Sequence, residues 1–381
     1  MFTSAQRLLG IALTGLLLTV ACGQENPQDA DCVGCVLRDQ IEAAQPGETI
    51  HISAGTYTLS GGELLIDKDL VLVGAGSEST IIQAAVSLEL ATHRVMRITE
   101  GTIVSISGVT VRYGSETSTE LRMIPFHSEA VGMISSGIEQ MGAEFGGGIY
   151  TQGTLTIVDS VVTDNFSGGG GGIFNGAKII IKNSSVSGNG SRGLGGGVFN
   201  GGILEATGLV ANDNRSGSGA GISNWGEATL YGSTISGNHA NYYGGGIQNH
   251  SVGSMTLDSS TVSNNRASIS GGINNSELLE VSNSHVDDNT AGLGAGIDTS
   301  GTLTLSNTTV SGNTAQEGGG LLVRFIVREK GAVVSNTIIT GNTADHGPDC
   351  MGVVDSLGGN LIGVSNGCDF MGLESDNVGS K

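Results

Sequence analysis

The residues that could carry out acid–base chemistry are few and scattered in this sequence. Hydrolysis of a glycosidic bond needs two carboxyl groups about 5–10 Å apart, and elimination from an acidic sugar needs a basic residue beside carboxylates. Asp287 and Asp288 are adjacent acids, but they occupy turn positions of a repeat. None of the cations between Gly146 and Gly320 adjoins an acidic pair: Lys178, Lys182, Arg192, Arg215 and Arg266. The sequence therefore favours a protein without a catalytic site.

Metal ligands do not cluster in the sequence either. Asp298 follows Gly294-Ala295-Gly296-Ile297, a run that resembles a calcium-binding nonapeptide, but the repeat described below accounts for these glycines. His285 and His346 stand alone. A zinc site would need a second Cys-x-x-Cys pair besides Cys32 and Cys35. We expect no cofactor and no metal, with Ca²⁺ the one ion left open.

Aromatic and basic residues supply candidates for glycan contact. One repeat position holds the aromatic residues Tyr150, Phe174 and Phe199. Alternation along a strand would place them outside as a stack that suits sugar rings, or as a ladder that only stabilises the wall. Candidates at nearby turns and in the basic stretch 324–330 are Trp225, Tyr242, Tyr243, Arg324 and Arg328. The basic stretch could hold an anionic glycan or form a lengthened excursion of the chain.

A repeat of about 24–25 residues must position these side chains. It reads Gly-Gly-Gly-Ile-x-Asn, Gly-x-Leu-x-Leu and Ser-x-Val-Ser-Gly-Asn. The aliphatic residue after the glycines recurs at Ile149, Ile173, Val198, Ile222, Ile247, Ile273, Ile297 and Leu321. Period-two alternation within each short run predicts half-buried strands, three to a repeat. The sequence therefore predicts an all-β, right-handed parallel β-helix whose aliphatic columns form one shared narrow core.

The two ends of the repeat region resemble a known family. Cys35-Val36-Leu37-Arg38-Asp39-Gln40-Ile41 resembles the Cys-Ser-Leu-Arg-Glu-Ala-Ile opening of secreted bacterial β-helix proteins, and the segments 347–350 and 356–363 with Cys368 resemble their closing module. The glycine-isoleucine-x-asparagine repeat is similar to that of polymorphic outer-membrane proteins. The resemblance implies a pectin-lyase-like fold over residues 32–372. It assigns an N-terminal cap to 32–60, with a short capping helix over Leu37–Ala44, and a C-terminal cap to 345–372.

The N-terminus predicts export. Leu8 to Val20 is an uncharged, mostly apolar run, too short to span a bilayer, and it is followed by Ala21-Cys22-Gly23. This resembles the lipobox of bacterial lipoproteins, which implies a signal peptide over 1–21, lipidation of Cys22 and a polar tether over 22–31. Gly23 after the cysteine implies an outer-membrane anchor, at the cell surface or the periplasmic face. The alternative is cleavage after Gly23 and secretion without an anchor.

The remaining cysteines and one insertion complete the organisation. Removal of Cys22 leaves an even number of cysteines, and the disulfide candidates are Cys32, Cys35, Cys350 and Cys368. The insertion 115–145 interrupts the repeats and is either a binding loop or a loop that packs on the cylinder wall. Its charged residues are Glu116, Glu120, Arg122, His127, Glu129 and Glu139.

Composition limits the partners. The net charge is −20, which argues against nucleic acid and anionic membrane surfaces as partners. No other long apolar stretch follows the N-terminal one, so we expect the lipid anchor to be the only membrane contact, without a transmembrane helix or barrel. Glycine supplies 65 of 381 residues, and the repeat places most of them at turns. We expect a single-domain, lipid-anchored envelope rod for adhesion, scaffolding or contact with a polysaccharide or cell-surface ligand. The alternative is a polysaccharide lyase or glycoside hydrolase.

Overall fold

The computed structural model describes residues 33–116, 145–324 and 331–379. Within these ranges the strands of successive coils pair in parallel and in register, as the repeat predicts. The fold is a right-handed parallel β-helix, which confirms the predicted class. Residues 1–32, 117–144, 325–330 and 380–381 lie outside the description. The signal peptide, the tether, Cys22, Cys32, Arg328 and most of the insertion 115–145 fall in these ranges and stay predictions.

Three faces and one corner sheet make up the cylinder. The long-strand face contains Glu48–Ile52, Leu70–Gly74, Ile103–Ser107, Thr154–Val158, Lys178–Lys182, Ile203–Thr207, Glu227–Tyr231, Ser254–Asp258, Leu278–Ser282, Thr302–Ser306, Ala332–Ser335, Cys350–Ser356 and Cys368–Met371. The short-strand face contains Leu64–Ile66, Met96–Ile98, Ile149–Thr151, Ile173–Asn175, Val198–Asn200, Ile222–Asn224, Ile247–Asn249, Ile273–Asn275, Ile297–Thr299 and Leu321–Val323. Cys350–Ser356 also pairs with the last of these.

The third face follows the long-strand face in each coil. It contains Gly55–Thr58, Thr80–Gln83, Thr110–Arg112, Val161–Thr163, Ser185–Ser187, Val210–Asn212, Thr234–Ser236, Thr261–Ser263, His285–Asp287, Thr309–Ser311, Ile338–Ile339, Leu361–Ile362 and Asn377–Val378. The corner sheet contains Ser115–Glu116, Phe166–Ser167, Gly190–Ser191, Arg215–Ser216 and His239–Ala240. These two-residue strands were not predicted, and they give the central coils a fourth strand.

The hydrophobic core runs along the axis inside these faces. In one coil Ile149, Leu155, Ile157 and Val162 are all buried, and their equivalents in the other coils join the same cluster. Each strand alternates between buried and more exposed residues, as in Thr154–Val158. Because each coil contributes only a few aliphatic side chains, the core becomes substantial only when the coils stack.

Two asparagine ladders hold the turns. The first runs from Asn165 through Asn189, Asn214, Asn238, Asn265, Asn289 and Asn313 to Asn342, each side-chain Nδ2 donating to the Oδ1 of the next. It ends on Asp349, whose Oδ1 accepts from Asn342 Nδ2 at 2.9 Å. The second runs through Asn175, Asn200, Asn224, Asn249 and Asn275 to Thr299. The predicted structural role of these asparagines is confirmed.

The caps contain a helix and a disulfide. The N-terminal helix spans Val33–Ala43, so it begins before the predicted Leu37, and it buries Leu37 and Ile41 in the core. Near the C-terminus, Cys350 and Cys368 form a disulfide. Cys35 is also disulfide-bonded, to a partner outside the described residues. Among the described residues, no helix has the length and apolar character needed to cross a membrane.

Candidate functional site

One column of outward-facing side chains on the short-strand face contains the candidate site. The middle residues of its strands pair in register from coil to coil: Leu65, Arg97, Tyr150, Phe174, Phe199, Ser223, Gln248, Asn274, Asp298 and Leu322. We call this the outward column. Its aromatic half is Tyr150, Phe174 and Phe199, and its polar half is Ser223, Gln248, Asn274 and Asp298.

Most of the outward column from Tyr150 onward is buried, because each coil folds its corner back over it, whereas Leu65 and Arg97 are exposed and Asn274 is half-buried. A Cβ at Gly294 would lie 2.5 Å from the Cβ of Asp298, so the corner backbone packs directly against the outward residue of its own coil. The corresponding corner residue of the neighbouring coil is Ser270, which adopts the same positive φ of 61°. A serine in this conformation is uncommon, and its hydroxyl points to the polar half.

The aromatic half forms a stack, but not an accessible one. The Tyr150 and Phe174 ring centroids are 4.9 Å apart, and those of Phe174 and Phe199 are 5.2 Å apart. The exposed fractions of the three residues are only 3%, 2% and 8%, because Phe145 and Leu194 pack over them from the corners. The prediction that these rings offer a sugar-binding surface is therefore wrong. They are a wall-stabilising ladder.

Trp225 and His250 flank the start of the polar half. Each follows the second asparagine ladder by one residue, so the two rings stack with centroids 3.9 Å apart. His250 Nε2 lies 3.1 Å from the Ser223 hydroxyl oxygen. Burial lowers the pKa of His250 to about 3, so the imidazole is neutral at physiological pH. Its Nε2 can then accept a hydrogen bond from the Ser223 hydroxyl.

Asp298 and Arg324 close the other end of the polar half. Arg324 donates from Nε and Nη2 to the two oxygens of Asp298, at 2.6 and 2.5 Å. Ser270 Oγ donates to the same carboxylate at 3.0 Å and accepts from Asn274 Nδ2 at 3.0 Å. Burial raises the pKa of Asp298, and Arg324 and Ser270 oppose that rise. Arg324, predicted to contact an anionic glycan, has its charge compensated by a buried carboxylate.

Two buried polar atoms near the centre have no hydrogen-bond partner among the described residues. They are the indole Nε1 of Trp225 and the side-chain Oε1 of Gln248. Gln248 is 9% exposed and sits one coil beyond Ser223 in the outward column. A buried unsatisfied polar group costs about 1–3 kcal/mol. The first is a donor and the second an acceptor.

Exposed tyrosines lie at the corner beside these atoms. Tyr242 and Tyr243 are 62% and 43% exposed, as the glycan-contact prediction requires. Tyr243 pairs with Ile269 of the next coil and immediately precedes Gly244, where an added Cβ would lie 3.0 Å from the Cβ of Gln248. The structure thus places Trp225, Tyr243 and Arg324 around the short-strand face. The polar half that lies among them was not predicted from the sequence.

A second cluster of charge lies at the N-terminal end of the outward column and was not predicted. Arg94 is buried, and its Nε lies 2.8 Å from Glu63 and its Nη2 3.7 Å from Glu116. The Arg94 and Arg97 guanidinium groups approach the Tyr150 ring at 4.9 and 5.6 Å. Burial raises the pKa of Glu116, opposed mainly by Arg94, and burial also raises the pKa of Tyr150.

Metal binding receives no support from the described part of the chain. No group of three His, Cys, Asp or Glu residues suited to a metal ion occurs there. The charged residues of the insertion beyond Glu116 lie outside the described residues: Glu120, Arg122, His127, Glu129 and Glu139.

Comparison with known proteins identifies structures of distant sequence. No family model matches the chain, and no curated protein matches it. An endo-xylogalacturonan hydrolase from Aspergillus tubingensis is similar at a TM-score of 0.41 and 12% identity, covering 91% of this chain and 89% of its own. The catalytic domain of a GH87 α-1,3-glucanase gives 0.40 and 11%, covering 94% and 70%. The Geobacillus virus E2 ORF18 protein gives 0.35 and 11%, covering 91% of this chain, which spans 56% of that protein.

Proposed function

We propose that this protein is an exported, lipid-anchored envelope β-helix that binds a glycan, without cleaving it, at the corner where Tyr242 and Tyr243 lie beside the polar half of the outward column. The observation that carries the proposal is the exposure of these two adjacent aromatic side chains, 62% for Tyr242 and 43% for Tyr243. Sugars present hydroxyl groups that both donate and accept hydrogen bonds, and their apolar faces pack on aromatic rings such as Tyr242 and Tyr243.

The stacked rings of Trp225 and His250 support the same proposal. The imidazole is neutral, so it adds no charge that a neutral sugar would have to compensate. Arg324 and Asp298 compensate each other at the far end. The polar half beside the two tyrosines therefore carries no net charge, which suits an uncharged stretch of glycan.

A glycan array followed by calorimetry on each hit tests the proposal. The Tyr242→Ala variant removes an exposed ring and should weaken binding by about tenfold, the value of one good aromatic contact. Tyr231→Ala makes the same change at an exposed position of the long-strand face and should bind like the wild type. Absence of any glycan ligand, or equal binding by the two variants, would contradict the proposal.

The anchor is tested separately. The apolar run before Cys22 supports lipidation of that cysteine. Radiolabelled palmitate should enter the wild-type protein in a bacterial host and should be absent from Cys22→Ser. Label that persists in Cys22→Ser would contradict a lipid anchor, and unlabelled wild type in the medium would support secretion without one.

The charged cluster around Arg94 favours a second candidate, cleavage of a polysaccharide. It places Glu63 and Glu116 on either side of one guanidinium, and burial raises the pKa of Glu116, a feature of general acids. Assays for new reducing ends and unsaturated products on each array hit decide between the two functions. Cleavage by the wild type that is lost in Glu116→Gln would replace binding by catalysis as the function.

A further inference from the structure

The corner sheet carries an exposed line of basic side chains on a different part of the coil from the outward column. Arg215 pairs in register with His239 of the next coil, and His239 pairs with Arg266 of the coil after that. All three residues are exposed. We call them the basic strip. Within the described ranges, none of the three takes part in an ion pair.

The basic strip is unusual in a chain of net charge −20. Its two arginines lie two strands apart, roughly 10 Å along the axis, with His239 between them, and their positive charges repel each other weakly at that distance. The long-strand face avoids this problem, since Lys178 lies opposite the strand that contains Glu205 and bonds to it at 2.7 Å. The acid nearest to Arg215 in the sequence, Asp213, accepts instead from Asn212 at 2.9 Å. The repulsion within the basic strip is thus left without an internal counter-charge.

The surroundings of the basic strip suit an extended ligand. Beyond Arg266 the same line continues with the exposed residues Thr290, Thr314 and Thr343, one to a coil, and their hydroxyl groups can donate hydrogen bonds. On the other side the line reaches Gly190 and Phe166, and the Arg192 guanidinium lies 5.8 Å from the Phe166 ring. Cations, hydroxyls and an aromatic ring therefore follow one line along the axis of the rod.

We propose that the basic strip binds the carboxylate or sulfate groups of an acidic polysaccharide that lies along the rod. The guanidinium groups of Arg215 and Arg266 suit bidentate contact with such anions. Nucleic acid fits less well, because proteins that bind it make about 6–10 phosphate contacts and the basic strip offers two guanidinium groups and one imidazole. The proposal does not depend on glycan binding at Tyr242 and Tyr243, since the two sites use different residues.

Affinity electrophoresis of the purified protein tests the basic strip. Gels contain dextran sulfate, polygalacturonate or neutral dextran, at low and at high salt. The wild type should be retarded by the acidic polymers only, and less so at high salt. The double variant R215Q/R266Q should bind about tenfold more weakly, whereas K178Q/K182Q removes two charges from the long-strand face and should bind like the wild type.

Three results would overturn the proposal: no retardation of the wild type, equal loss in both double variants, or tighter binding to a single-stranded oligonucleotide than to either acidic polymer. Urea unfolding guards against misfolding, because removal of the repulsion between like charges should leave the stability of R215Q/R266Q unchanged or raised. Glycan binding at Tyr242 and Tyr243, measured with the array hits, should be unaffected in R215Q/R266Q.

Discussion

The two halves of the outward column occupy equivalent positions on successive strands of the short-strand face, yet they differ in what fills the space under the corner. In the aromatic half, stacked rings covered by Phe145 and Leu194 fill the space under the corner. In the polar half, the same space holds the Asp298–Arg324 ion pair and the Gln248 amide, whose Oε1 has no hydrogen-bond partner among the described residues. The coil therefore accepts either filling. The polar filling is the less stable of the two, because it leaves a buried acceptor unsatisfied that aromatic rings would avoid.

The largest effect should come from emptying the aromatic half. Phe174→Ala removes the central ring of the stack and should lower the free energy of unfolding by about 3–5 kcal/mol, measured by urea denaturation. Phe174→Leu keeps most of the buried volume and should cost less. Glycan binding by folded Phe174→Ala protein should be unchanged, and its selective loss would make the aromatic half part of the site.

The next largest effect concerns the ion pair of the polar half. Asp298→Leu leaves the Arg324 guanidinium without its carboxylate and should cost about 3 kcal/mol in urea denaturation. The double variant Asp298→Leu/Arg324→Met fills the same space with apolar groups, as the aromatic half does, and should recover most of that loss. A double variant no more stable than the single one would show that apolar side chains cannot replace the ion pair under this corner.

A smaller effect depends on pH and on His250. Its folded pKa of about 3 lies below its unfolded value of about 6.5. The unfolded chain therefore binds the proton first as pH falls, and the stability that depends on the neutral imidazole is complete above about pH 6.5 and decreases toward pH 3.

Between pH 6.5 and 5 this loss should reach about 2 kcal/mol. His250→Gln should remove this part of the pH dependence in urea denaturation, and His239→Gln on the corner sheet is the matched substitution. An unchanged slope in His250→Gln would show that the stacked imidazole accepts a proton without cost.

Spacing predicted the backbone of this molecule better than it predicted the environment of the outward column. The period of the aliphatic residues fixed which side chains face inward, and the ladder asparagines followed from the same period. Alternation also gave the outward direction of Phe174, but its burial depends on Phe145 and Leu194, which come from the corners of other coils.

Other features of the site needed the side-chain conformations. Arg324 lies 26 residues from Asp298, close to one coil, but only the orientation of its side chain makes the pair. Ser270 is the exception, because the serine is visible in the sequence where the neighbouring coils have the first glycine of the corner. Serine in place of glycine at position 270 could therefore have predicted a polar contact at this corner.

The first asparagine ladder gives the rod a direction. All its amides donate toward the C-terminal end, so their dipoles add, and the positive end meets the carboxylate of Asp349. That carboxylate accepts from Asn342 on one oxygen and from the Val364 amide on the other at 2.7 Å, so the ladder of donated hydrogen bonds ends there. Duplication or deletion of whole coils before Asn342 would preserve this termination. The number of coils, and with it the reach of the binding surfaces, can therefore change between related chains while both caps stay the same.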